Sequence, residues 1–134
     1  MKAPVAALIL ITTVVLSVGC NRQLTSAKAK LERQAFAAKL AEECKQMLLN
    51  YRQTQKYVWM RSEMTNYPIT ASLNPQVASI TSLSGTDVVE IQITGGFSHS
   101  GIFYAPQPLP GGTELHRGNW QIQPLGNGFY WYKE

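Results

Sequence analysis

The chain's 134 residues suffice for one small domain, and 45 % hydrophobic residues with three Trp, six Tyr and four Phe exclude a disordered polymer. Residues 1–63 carry ten of the twelve Lys and Arg against Glu32, Glu42, Glu43 and Glu63, a balance of +6. Residues 64–134 carry Arg117 and Lys133 against Asp87, Glu90, Glu114 and Glu134, a balance of −2, so the aromatic half lacks the basic stripe that nucleic-acid binding needs.

Met1-Lys2 gives a minimal positive start, Ala3 to Val18 follow without a charge, and small Gly19 precedes Cys20. A charged start, an apolar run and small residues at its end are the parts of a secretory signal peptide. The ending Leu16-Ser17-Val18-Gly19-Cys20 resembles the lipobox of bacterial membrane lipoproteins. This resemblance, confined to the leader, implies cleavage before Cys20 and acylation of its sulfur, which would hold the rest of the chain to a membrane of the bacterial cell envelope. Leu16 lies one position earlier than the lipobox leucine, however, and Ser17 with Gly19 also fits the small-x-small rule of an ordinary signal peptidase, which would release a secreted protein. Left uncut, the run approaches the roughly 18 residues at which a membrane-spanning helix begins. Arg22, Lys28, Lys30 and Arg33 outweigh Lys2, so an uncut anchor would keep the domain on the cytoplasmic side. Residues 1–19 are therefore a signal peptide or membrane anchor, and residues 20–134 one small α+β domain. The cations past the leader suit an anionic membrane surface, at roughly 1 kcal/mol each; a solvated Lys-rich helix face accounts for them equally well.

Thr25 or Ser26 can cap a helix that runs without Gly or Pro to about Met64, ended by Asn66-Tyr67-Pro68. Phe36, Leu40, Cys44, Met47, Tyr51 and Val58 form one apolar stripe, and Leu24, Ala27, Leu31, Ala35 and Ala38 a weaker one. The expectation is a solvated helical stalk followed by a packed second half, with Cys44 buried as a small inert hydrophobe.

After Pro68 the period changes to two. Val77 to Leu83 reads as a strand, Ser84-Gly85-Thr86-Asp87 as a turn, and Val89, Ile91 and Ile93 as the buried face of the next strand, its other face at least partly wet. Gly95-Gly96 suggests a bulge and Ile102-Phe103-Tyr104 a third strand. Ala105 to Gly112, with three prolines, must be a surface loop. Trp120 to Gln123 and Phe129 to Tyr132 complete the pattern, with Asn127-Gly128 between them as a hairpin signal. The fold expected is α+β: an apolar leader, one long helix, then an antiparallel meander of about five strands with the helix on one face.

No constellation for catalysis stands out. His99 and His116, with one cysteine of buried type, cannot supply the three or four ligands of a zinc site, and no other cofactor motif is present. Ser98-His99-Ser100 places neighbouring side chains on opposite faces of a strand, which rules out a relay among them. The aromatic C-terminus is the one candidate site. Phe129 and Trp131 share a face as core, so that Trp131→Ala should cost about 3–5 kcal/mol. Tyr130 and Tyr132, with Trp120, form the other face, a possible platform for a sugar ring, a peptide or a partner protein. The function expected is a non-catalytic interaction module of the envelope, its partners membrane lipid through acylated Cys20 or an uncut helix, and an envelope protein or glycan. The alternatives are a small glycan- or ligand-binding protein or enzyme using the aromatic hairpin, and a cytoplasmic-facing accessory subunit.

Overall fold

The N-terminal helix breaks once and ends early. In the computed structural model, which describes residues 22–95, 98–109 and 120–134, residues 22–32 form helix α1 and Gln34–Thr54 helix α2. Arg33 between them is extended (φ −79°, ψ 113°). Leu24, Ala27 and Leu31 are buried from α1, and Ala37, Leu40, Cys44, Met47 and Leu48 from α2. Leu31 and Ala37 are six positions apart, which on a continuous helix of 3.6 residues per turn would point them about 120° away from one another. Both stripes reach the sheet only because the helix breaks between them, and Ala35 and Ala38 are left exposed. This corrects the solvated stalk: α1 is docked on the domain, and Lys30 Nζ donates to the Ser72 carbonyl at 2.9 Å.

Helix α2 stops at Gln55, which takes the left-handed conformation (φ 63°) that glycine usually supplies, its N–H donating to Tyr51 O. A helix to Met64 is therefore not formed. The β-favouring triplet Tyr57-Val58-Trp59 leads instead into strand β1, Val58–Met60, which buries Trp59 edge-on against Tyr67 (6.1 Å, 79°). A 3-10 helix, Arg61–Asn66, leads into the short helix α3, Pro68–Ser72. Pro68 thus opens a helix, where its missing N–H costs nothing, rather than closing one. Glu43 of α2 holds α3 in place: its carboxylate accepts from Ile69 N (2.8 Å), Thr70 N (2.7 Å) and Thr70 Oγ1 (2.8 Å).

The remaining strands are β2 Val77–Leu83, β3 Thr86–Thr94, β4 Ser100–Tyr104, β5 Gln121–Gly126 and β6 Phe129–Lys133. They form one six-stranded antiparallel sheet in the order β1-β2-β3-β4-β6-β5. Ser84-Gly85 (φ 52° and 77°) and Asn127-Gly128 (φ 55° and 85°) close two-residue hairpins with both residues left-handed, the geometry that matches strand twist. The sheet's two edges are blunted. At β1, Glu63 accepts the Met60 N–H (2.8 Å) and pairs with Lys56 (2.8 Å), contacts that hold its carboxyl below the usual value. At β5, Pro124 removes a donor beside a register shift.

The inner face of the sheet carries Ala78, Val89, Ile91, Ile93, Ile102, Tyr104 and Phe129 against the helices. The outer face has its own smaller cluster of Leu83, Val88, Phe103, Ala105, Leu109, Ile122 and Tyr132. It is partly wet over β2 and β3, where Ser79, Glu90 and Gln92 are half-buried, but closed over β4, which is buried along its whole length. The proline-rich segment supplies part of that closure, since Ala105 and Leu109 are buried while Pro106, Gln107 and Pro108 between them are exposed; residues 110–112 lie outside the described residues.

Candidate functional site

Strand alternation brings Tyr130 and Tyr132 to the outer face, where register sets Tyr132 opposite Gly101 and Ile122, and Tyr130 opposite Phe103 and Pro124. Gly101 leaves the space in which the Tyr132 ring lies. A Cβ there would stand 2.8 Å from the Tyr132 hydroxyl and collide with the Ile91 carbonyl oxygen. Trp120 lies parallel to Tyr132 at 4.7 Å (8°), and Phe103 stacks on Tyr132 at 4.5 Å (30°). The three residues proposed as a platform, Trp120, Tyr130 and Tyr132, are thus brought together.

They do not form a platform of three. Tyr132 is 0 % exposed, enclosed in the cluster that includes Phe103, Ile122 and Leu109, so only Trp120 and Tyr130, both half-buried, reach the surface. Trp131 departs from expectation in the other direction. It lies on the inner face but is half-buried, and its ring is covered by Lys28 of α1, whose Nζ sits 3.8 Å from the ring centroid.

A polar pair stands at the rim of the aromatic cluster. His99 Nδ1 is 2.7 Å from Glu134 Oε2, the Glu134 N–H donates to His99 O (2.8 Å), and the imidazole centroid is 6.5 Å from that of Trp120. No local spacing could reveal a pair 35 positions apart; it follows from β4–β6 pairing, which sets Ser100 beside Lys133. Neither neighbouring hydroxyl bonds the imidazole: Ser98 Oγ donates to Glu134 O (3.5 Å), and Ser100 Oγ is buried against Thr94 Oγ1 (2.5 Å). A half-exposed indole with an imidazole–carboxylate pair beside it can stack on a flat apolar face and hydrogen-bond a polar edge.

The other residues singled out in the sequence fall elsewhere. Cys20 and His116 lie outside the described residues. Cys44 is buried between the helix and the sheet; desolvation pushes its thiol pKa up and the Glu43 carboxylate adds to the shift, which keeps the sulfur protonated and unreactive. Among the described residues no three His, Cys, Asp or Glu side chains gather where they could share a metal ion. No helix among them is long and apolar enough to cross a membrane. Compared with known protein families, curated proteins and solved structures, the chain matches none.

Proposed function

We propose that the chain is a small domain tethered to a membrane of the bacterial cell envelope, acting by binding rather than by catalysis. The observation that carries this reading is the uncharged run from Ala3 to Val18, closed by Gly19 and Cys20. The use of the reactive side chains supports the second half of it. Cys44 is core, Glu43 is committed to three hydrogen bonds at α3, and Ser100 is paired with Thr94. Fractionation of expressing cells, with mass analysis of the N-terminus, tests the tether. The expected product begins at a diacylglycerol-modified Cys20 and sediments with membranes. A Cys20→Ser protein that is processed identically and stays with the membranes would overturn it. An N-terminus of uncut mass, with the domain on the cytoplasmic side, would make the chain a membrane-anchored accessory subunit instead.

A second reading rests on the half-exposed Trp120, beside His99 and Glu134, and on half-exposed Tyr130 of the same face. This surface suits a sugar ring or a peptide, so the binding partner on this side would be an envelope glycan or protein. Loss of glycan or peptide retention in Trp120→Ala, with the fold intact, would support it; retention unchanged would remove it.

A further inference from the structure

Arg22, Gln23, Ser26 and Lys30 of α1 face Leu73 and Asn74, at the end of α3, across a recess of about 260 Å³. Among the described residues no acidic side chain lines this recess. Arg61 approaches the same turn from the other side, donating from Nε to Pro75 O (2.9 Å) and from Nη2 to Asn74 O (3.4 Å). Lys30 spends one donor on Ser72 O and keeps its charge and its other two. Three cations and three neutral polar side chains thus gather at one end of the molecule.

Cys20 precedes this end by two residues. An extended chain spans at most about 3.6 Å per residue, so the Cα of Cys20 stays within about 7 Å of that of Arg22. The polar layer of a bilayer is about 5–8 Å deep on each side. Because α1 is docked on the domain, no stalk lies between the leader and the recess. We propose that this recess is the lipid-facing surface of the domain and receives the phosphate of an anionic phospholipid headgroup. Arg22 and Lys30 meet the phosphate, while Gln23, Ser26 and Asn74 offer hydrogen bonds to the headgroup's hydroxyls. This rests on the tethered reading and adds to it an orientation: the domain lies on the membrane, and the aromatic cluster of the outer face is held at a fixed attitude to it.

The test uses the full acylated chain in vesicles, with one fluorophore attached at Ala71→Cys, exposed on α3 beside the recess but not lining it, or, as the distant control, at Ser82→Cys on β2; Cys44 is buried and takes no label. The vesicles carry a headgroup spin label as quencher and are made of phosphatidylcholine with or without phosphatidylglycerol. The expected result is strong quenching at position 71, little at 82, and more at 71 when phosphatidylglycerol is present. Arg22→Gln, an exposed change that leaves the fold alone, should lower the docked-to-undocked ratio in anionic vesicles about fivefold, and adding Lys30→Gln about fivefold again. Vesicle-bound protein quenched equally at both positions, or at neither, would overturn the orientation and leave the tether standing. Quenching at 71 that ignores phosphatidylglycerol and both substitutions would overturn headgroup recognition. A chain with intact Cys20 that is not retained by vesicles would overturn the tether and this surface together.

Discussion

The two faces of the sheet are built from the same strands and closed by different means. The inner face adds aliphatic and sulfur side chains to Trp59, Tyr67, Tyr104 and Phe129, and helices α1 and α2 deliver a buried side chain to it at nearly every turn: Leu24, Ala27, Leu31, Ala37, Leu40, Cys44 and Met47. The outer face is covered by no described helix, and among the described residues of the segment after β4 it receives Ala105 and Leu109. It closes largely on itself, through rings broad enough to shield one another: Phe103 and Trp120 against Tyr132. A face covered by helices ends as sealed core. A face covered by its own aromatics keeps a rim, and here the rim holds Trp120, Tyr130 and the His99–Glu134 pair.

If both faces are load-carrying core, truncation on either should be severe. Leu40→Ala on the inner side should cost about 2–5 kcal/mol and Tyr132→Ala on the outer side about 3–5 kcal/mol, read from denaturant midpoints. Trp131→Ala, half-buried under Lys28, should cost less, roughly 1–2 kcal/mol. A Tyr132→Ala protein that melts within about 1 kcal/mol of wild type would show the outer cluster to be a decoration and restore Trp131 as the anchor of the hairpin.

The inner side also has a polar dependence. Glu43→Ala removes the acceptor for the N–H groups of Ile69 and Thr70 and for a hydroxyl that is fully buried. The expected loss is about 1–3 kcal/mol, with local opening of α3 visible as faster amide exchange at Ile69 and Thr70. Exchange that stays slow there would mean that packing, not the carboxylate, holds α3.

These two variants also mark how far the sequence could be read. Periods of two and hairpin dipeptides are local properties, so strand β2, the face of Val89, Ile91 and Ile93, and the Asn127-Gly128 turn were all legible. The helix break at Arg33 and the left-handed Gln55 were not, because neither residue carries the Gly or Pro that usually marks such points. The sheet imposes both, one to bury two stripes that are out of phase, the other to free Tyr57-Val58-Trp59 for the edge strand. At the candidate site, alternation correctly grouped Tyr130 with Tyr132. It could not tell that Tyr132 is sealed, because that depends on Gly101 and Leu109, which only the tertiary fold brings alongside. The His99–Glu134 pair was invisible for the same reason.

Alkaline titration probes the inner face by a third route. Burial raises the pKa of Cys44 and of Tyr104, both on the inner side. Above roughly pH 8.5 the unfolded chain gives up the Cys44 proton while the folded chain keeps it. The unfolded state then binds fewer protons, and stability falls with rising pH at about 1.4 kcal/mol per unit. Tyr104 adds to the slope above about pH 10. Cys44→Ala should flatten the profile between those two values, judged on slopes so that the cavity it leaves does not enter. A slope unchanged by the substitution would mean that Cys44 is wetter than its burial implies.

The smallest expected effect bears on whether α1 belongs to the domain at all. Lys28 sits over the face of Trp131, and its ammonium there is not directed to solvent as it would be on a free stalk. A cation over an indole at a partly exposed site is worth about 0.5–1 kcal/mol. Single substitutions would blur this with lost packing, because Trp131 also neighbours Ile102 and Gln123 across the sheet. A double-mutant cycle with Lys28→Met and Trp131→Leu isolates the pair, since each change keeps bulk while removing one partner of the contact. Raising the salt concentration should leave most of the coupling in place, because the charge is held against a ring rather than across water. Coupling of about 0.5–1 kcal/mol fixes α1 on the inner face in solution. Coupling indistinguishable from zero would detach the helix from the sheet. It would also remove the docking of α1 beside the recess on which the membrane-facing orientation depends.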